Sequence, residues 1–353
     1  MSRSLRSAWA GLAALAAVTA LTSCGFLTGN ETANDTADSG GECSSQTLRL
    51  ATIRAETDPT TIAAEKFAEL VEGRTDGELT VEVFPNSQLG DFTDIFAEMA
   101  SGGNVDMFYE GISIYNTLDG AKAFTVMSVP FLFDSYQQML NVLRSDRFQQ
   151  LFEEATKASG VRVIVANGDA EPRALSANRP IRNADDMQGL KIRIAEAPMP
   201  QAFARALGAA PTVIPFSDLY LALRQGVADA QENGAITMVT QSLYEVQDYY
   251  MPIDYIRDVR SWYISEQVWT SLCPSQQEAL TTAGTEAGKL GTREVQAQLD
   301  KSMDTLRQQI TVVDDVDVAS FKQALDGVFE EKFDGKLWQQ GLLDEIEQLK
   351  TSG

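Results

Sequence analysis

Residues 171–234 read EPRALSANRPIRNADDMQGLKIRIAEAPMPQAFARALGAAPTVIPFSDLYLALRQGVADAQENG. The spacing of apolar residues predicts strands near Arg173–Ala177 and over Lys191–Ile194, then a helix from Met199 to Leu207. A strand at Thr212–Ile214 and a helix from Ser217 to Gln225 follow. Short β and α pieces alternating in this way build an α/β lobe, and open α/β sheets bind ligands in crevices beyond the carboxyl ends of their strands. Arg173, Arg193 and Asn233 are spread across this stretch, so the fold can bring them to one cleft. Two guanidinium groups and an amide suit the capture of a carboxylate better than the making or breaking of a bond.

Toward the N-terminus the same alternation occurs once more. Leu48–Thr52 alternates like a strand, Thr61–Val71 has helical period, and GRTDG at 73–77 turns the chain into a second strand at Leu79–Phe84. PNSQLG at 85–90 leads into a helix that ends near Ser101-Gly102-Gly103, and a third strand covers Val105–Tyr109. A β-α-β-α-β order requires a parallel sheet with helices on its faces. After an apolar passage from Phe124 to Phe133, helical stretches lie near Met139–Leu143 and Phe148–Lys157, and Val161–Ala166 reads as a buried strand. Two α/β lobes with a crevice between them result. Beyond them Ser275 to about Gln309 forms one long amphipathic pattern, followed by a strand at Ile310–Val313 and helices from Val318 and over Lys336–Lys350 that brace both lobes.

A chain of 353 residues is long enough for two medium lobes. Its formal net charge of -22 opposes nucleic acid and anionic lipid surfaces. Because salt screens long-range repulsion within about 8–10 Å, a locally placed arginine can still hold an anion. The sequence has no histidine, which removes the commonest general base and zinc ligand, and it has no G-x-S-x-G, C-x-x-C or H-E-x-x-H. Neither a metal nor a cofactor is expected. Carboxylate-only hydrolysis stays open on composition, but no acidic pair is singled out.

Residues 1–23 have the form of a secretory signal: Arg3 and Arg6 precede an apolar run from Ala8 to Leu21. The run is shorter than the ~20 residues of a membrane span. Leu21-Thr22-Ser23-Cys24 resembles a bacterial lipobox, which makes Cys24 the expected lipidated first residue of the mature chain, on the outer face of the membrane. Residues 24–46 carry the lipid and then a tether rich in Gly, Ser, Thr, Asn and acidic residues. The N-x-T triplets at Asn30 and Asn34 receive no role. In an oxidising compartment Cys43 and Cys273 can form a disulfide or remain two unpaired thiols, and both readings stand.

Several segments together resemble one family: FPNSQLGD, GGNVDM, VPFLF, NRPIRNADDMQGLKIR, LGAAPTVIPFSDLYLALRQGVADAQENG and WTSLCPSQQEAL. In this order, over about residues 47–350, they are similar to DctP-type substrate-binding proteins of TRAP (tripartite ATP-independent periplasmic) transporters. The resemblance implies a two-lobed, periplasmic-binding-protein-like α/β fold with a ligand cleft between the lobes and a long bracing C-terminal helix. It implies lobe I at 47–170 plus about 259–298, and lobe II at 171–258 plus about 299–350. It further implies an extracytoplasmic, lipid-anchored receptor that delivers an organic acid, of the C4-dicarboxylate or sugar acid class, to TRAP membrane subunits. The alternatives are a receptor feeding a sensor protein and an extracellular carboxylate-based hydrolase.

Residue by residue, the family arginine that forks a ligand carboxylate falls on Arg193, a second arginine on Arg173, and the ligand-bonding asparagine on Asn233. Phe216 matches an apolar wall of the site. Glu110, Glu196, Arg260 and Trp262 fall at or near further ligand positions. Five of them have a plainer use: Arg193 can cap Glu196, Arg173 can join an inter-strand ion pair, Asn233 can serve a turn, Phe216 can fill core and Glu110 can be a solvated loop acid. The chain departs from the family pattern at Gly234, where proline is frequent after the asparagine.

Overall fold

The computed structural model describes residues 43–351; Cys24 and the expected signal and tether up to residue 42 lie outside them. Strand β1 (Gln46–Ala51) leads to helix α1 (Pro59–Arg74), which Asp58 starts by accepting the Thr60 amide at 2.8 Å while Pro59 supplies a preset φ. Strand β2 (Leu79–Phe84) returns parallel to β1. Helix α2 (Phe92–Ser101) is capped by Asp91 and stopped by Gly102 at φ 70°, and β3 (Met107–Gly111) adds to the other side of β1, also parallel. Two 3₁₀ turns, Ile112–Thr117 and Lys122–Ser128, carry the apolar passage to α3 (Tyr136–Arg144), α4 (Asp146–Ser159) and β4 (Val161–Asp169).

The chain then leaves the first sheet through Ala170–Pro172 and begins a second. Its strands are β5 (Arg173–Ala177), β6 (Lys191–Ile194), β7 (Ala210–Val213), β8 (Ala230–Gln231) and β9 (Tyr249–Ile256). Helices α5 (Pro198–Ala206), α6 (Leu219–Arg224) and α7 (Ala235–Thr240) connect them. Arg257-Asp258 brings the chain back to the first sheet, where β10 (Val259–Ser265) lies antiparallel between β3 and β4. Short helix α8 (Glu266–Ser271) precedes the 36-residue α9 (Pro274–Gln309), and β11 (Thr311–Val312) closes the far edge of the second sheet. The sheet orders are β2-β1-β3-β10-β4 and β11-β9-β5-β8-β6-β7. Two α/β lobes joined by two crossings, as the alternating pattern implies, are therefore present.

Helix α9 packs on α1 and β4 of the first lobe and on α7 of the second. Close approach needs glycine: a Cβ on Gly288 would stand 2.0 Å from the Asn167 amide oxygen. At its start a disulfide joins Cys273 to Cys43, with Cα atoms 5.6 Å apart. After α9, α10 (Val318–Leu325) lies against α5, and α11 (Val328–Phe333) follows. The helix expected over Lys336–Lys350 is shorter, α12 at Leu342–Leu349. The Asp334 carboxylate accepts from Trp338 and the Gly341 amide, and Gly341 adopts φ 82°, so residues 336–341 form a tied loop. Helix α12 lies against α3, with Lys350 Nζ donating to the Leu132 carbonyl at 2.8 Å, so the segment assigned from about residue 299 to lobe II ends on lobe I.

Candidate functional site

Strand β6 is flanked by parallel β7 and β8, which buries its second half and carries the Arg193 side chain inside, 2% exposed. Its Nε donates to the Ile214 carbonyl at 2.8 Å, and the guanidinium stands 5.9 Å from the centre of the Phe216 ring. Among the described residues no carboxylate comes within ion-pairing distance of it. Burial lowers its pKa to about 10, and the more distant charges of Glu232 and Asp91 restore only part of the loss. Buried arginine is ordinarily matched to an acid because an uncompensated buried charge is costly.

Arg173 on β5 is matched. Its Nε and Nη2 each donate at 2.7 Å to the two oxygens of Glu232, which also accepts from the Tyr255 hydroxyl. Burial opposes the charge, but Glu232 outweighs it and raises the Arg173 pKa. The Asn233 amide donates to Gln231 Oε1 at 2.6 Å and is 3% exposed. Gly234 has a steric reason: a Cβ there would fall 2.5 Å from both the Glu171 carboxyl carbon and the Pro172 carbonyl oxygen of the nearby crossing. The departure from proline follows from that contact.

The first lobe contributes Arg54, just beyond β1. It grips Glu110 with two bonds, 2.7 and 3.1 Å, and Arg260 pairs with the same carboxylate. Arg54 also reaches the second lobe, donating to Thr237 Oγ1 at 3.3 Å and standing 4.8 Å from the Phe216 ring. A second link joins the Phe216 amide to Asp91 Oδ2 at 3.2 Å. Glu171, in the crossing, accepts from the Ile236 and Thr237 amides and the Thr237 hydroxyl. Burial raises the Glu171 pKa.

Arg54, Glu171, Arg173, Asn233, Thr237 and Arg260 share a cavity with about 10 Å³ for the centre of a water molecule. Of the expected residues, Arg173, Asn233 and Arg260 line it, Phe216 lies beside Arg54 with Arg193 beyond its ring, and Glu110 sits behind two of its arginines. Two expected residues stand elsewhere. Glu196 is exposed at the mouth of α5. Trp262 is fully buried between Tyr109 and Phe67, at 3.6 and 4.3 Å between ring centres, because its side of β10 faces α1 and α9. Sequence reading missed Arg54, Asp91, Glu171, Glu232 and Tyr255. Glu232 adjoins Asn233 and could have been found there, whereas nothing in the sequence pairs Tyr255 with it.

Residues 50–336 match the family model described as bacterial extracellular solute-binding protein, family 7 (DctP). The chain belongs to this family. It is 33% identical over 256 residues to a solute-binding protein of Roseobacter denitrificans, spanning 71% of this chain and 76% of that one. It is 28% identical over 281 residues to the 2,3-diketo-L-gulonate-binding periplasmic protein of Escherichia coli, spanning 79% and 84%. A crystal structure of a TRAP periplasmic solute-binding protein from Roseobacter denitrificans, with bound L-galactonate, superposes with a TM-score of 0.80 at 28% identity and covers 87% of this chain and 99% of that one. DctP-family proteins are extracytoplasmic solute receptors, and this chain shares their two-lobed fold.

Proposed function

We propose that the protein captures an organic acid anion, of the sugar acid or C4-dicarboxylate class, between its lobes and presents it to TRAP membrane subunits. The observation that carries this reading is Arg193, a buried guanidinium with no protein carboxylate beside it among the described residues. A ligand carboxylate placed on its remaining donors supplies the missing charge. Asn233, and the Nη1 of Arg173 that Glu232 leaves over, are the supporting groups. The named ligands of two relatives, L-galactonate and 2,3-diketo-L-gulonate, are sugar acids and favour that class.

Room for about one water is too little for such an acid. Entry therefore requires the lobes to part, and the Arg54–Thr237 and Asp91–Phe216 contacts describe a form closed further than one that holds the acid. The buried carboxylates suit a receptor better than a hydrolase. Glu110 is held by two arginines, Glu232 by Arg173 and Tyr255, Glu171 by backbone amides and the Thr237 hydroxyl, Asp258 by the Ser113 hydroxyl and the Ser113 and Val259 amides, and Asp58 by the Thr60 amide, so each is engaged in holding the fold.

A thermal-shift series with L-galactonate, D-galacturonate and succinate tests the class. At least one acid should stabilise the protein, and Arg193→Ala should weaken its binding by about 100-fold or more, the scale expected when one partner of a buried charge pair is removed. Binding retained in Arg193→Ala would overturn the reading. Cys24, in the lipobox-like LTSC, is the proposed lipidation site that keeps the receptor at the membrane surface. Cys24→Ser should move the protein from the membrane to the soluble fraction of the producing cell.

A further inference from the structure

A second cavity lies away from the interlobe site. A groove of about 490 Å³ runs along β4, the edge strand of the first sheet, and is lined by all of Val163, Ile164, Val165, Ala166 and Asn167. Successive strand residues point to opposite faces, so a hollow on one face would take alternate residues only. Five in a row mean that the groove follows the edge itself. β4 pairs with β10 on its inner side. Along Val163–Ala166 no described residue makes a hydrogen bond to the outer side of the main chain, whereas beyond it the Asn167 carbonyl accepts from the Tyr136 hydroxyl and the Asp169 amide donates to Thr292 Oγ1, so the open edge ends at Ala166.

The walls come from both faces of the sheet. Leu140, Leu143 and Phe152 of α3 and α4 belong to the face on which Tyr263 packs, and Thr285, Lys289 and Thr292 of α9 to the face of Trp262. One cation stands on each side, Arg144 at the end of α3 and Lys289 on α9. Both are exposed, and neither forms an ion pair among the described residues. No aspartate or glutamate lines the groove, in a chain with 50 acidic and 28 basic residues. Along β4 the nearest acid is Asp169, past the groove's end and in the field of Arg257; Glu153 and Glu286 follow the wall residues Phe152 and Thr285 in sequence, and Glu286 pairs with Arg74.

We infer that this groove binds an extended, acidic segment of another polypeptide, which pairs with β4 as an added strand. Open edge amides and carbonyls are the elements by which peptides join a sheet, and they select an extended main chain over a compact small molecule. Five residues of strand span about 16 Å. Adjacent acidic residues in such a segment point to opposite faces, so one meets Arg144 and the next Lys289. The apolar walls take the flanking side chains. The inference does not rest on the interlobe reading, because neither Arg193 nor Asn233 contributes to the groove.

The probe is the capped hexapeptide acetyl-Val-Val-Asp-Glu-Val-Val-amide, titrated into the folded chain with hydrogen exchange read at Val163–Asn167. The peptide should slow exchange of those amides, and Arg144→Glu/Lys289→Glu should weaken its binding at least about tenfold. Arg144→Glu alone serves if the double variant melts early. Thermal response to the interlobe acid should be unchanged in either variant. A lysine-for-acid peptide, or one with alternate main-chain nitrogens methylated, should not bind. Equal binding of the methylated peptide, preferential binding of sodium octanoate, or no protection at millimolar peptide would each overturn the inference.

Discussion

Arg173 and Arg193 are the same residue on strands of one sheet, yet they meet different partners. Arg173 finds Glu232, adjacent in sequence to Asn233, whereas Arg193 finds a carbonyl and an aromatic ring. The first pair is closed upon itself and the second arginine awaits a charge. Asp169 shows the opposite imbalance at the end of β4. Burial raises its pKa to about 6, Arg257 offsets only part of this, and its Oδ1 has no hydrogen-bond partner among the described residues. The folded protein thus holds this proton more tightly than the unfolded chain, so stability is lost as pH rises from about 4 through 6. Asp169→Asn should stabilise the protein at pH 7 by up to about 3 kcal/mol and by little near pH 3, as urea unfolding at both values would show. A smaller stability at pH 7 than in the parent would contradict this assignment of the raised pKa.

Among the elements, α9 shows how local pattern and tertiary contact divide the work. Its amphipathic period was readable over 36 residues, and Pro274 marks its start. That it braces both lobes was expected too, but the contacts by which it does so, Gly288 meeting Asn167 and α7 reaching it from the other lobe, were not readable. The disulfide at its start closes a sequence separation of 230 residues. Breaking it with Cys43→Ser should lower unfolding free energy by about 2–4 kcal/mol while leaving organic acid affinity unchanged, because both cysteines lie away from the interlobe cavity. Calorimetric melting and ligand titration of the variant check the two halves separately. Helix α12 illustrates the limit of periodicity: apolar spacing continues through residues 336–341, but the Asp334 carboxylate ties that segment into a loop.

For the whole molecule, two crossings and α9 connect the lobes, which also meet through Arg54 to Thr237, Phe216 to Asp91 and the Phe131 amide to the Tyr255 carbonyl. A ligand that bridges Arg193 and the first lobe shifts the population toward a closed form wide enough to hold it. Small-angle scattering should show a larger radius of gyration for the ligand-free protein than with saturating acid, and Thr237→Val should favour the open form further. An unchanged radius on ligand addition would contradict closure.

By itself the sequence determined two α/β lobes, the long helix and the positions of Arg193, Arg173 and Asn233, because period, turn residues and segment order are local properties of the chain. Only the tertiary structure decided which arginine is satisfied, that Trp262 belongs to the core and Glu196 to the surface, and that Arg54, Glu171 and Glu232 surround the cavity. Burial and ion pairing depend on residues as far apart as Arg54 and Thr237 becoming neighbours, and no local spacing encodes such a meeting.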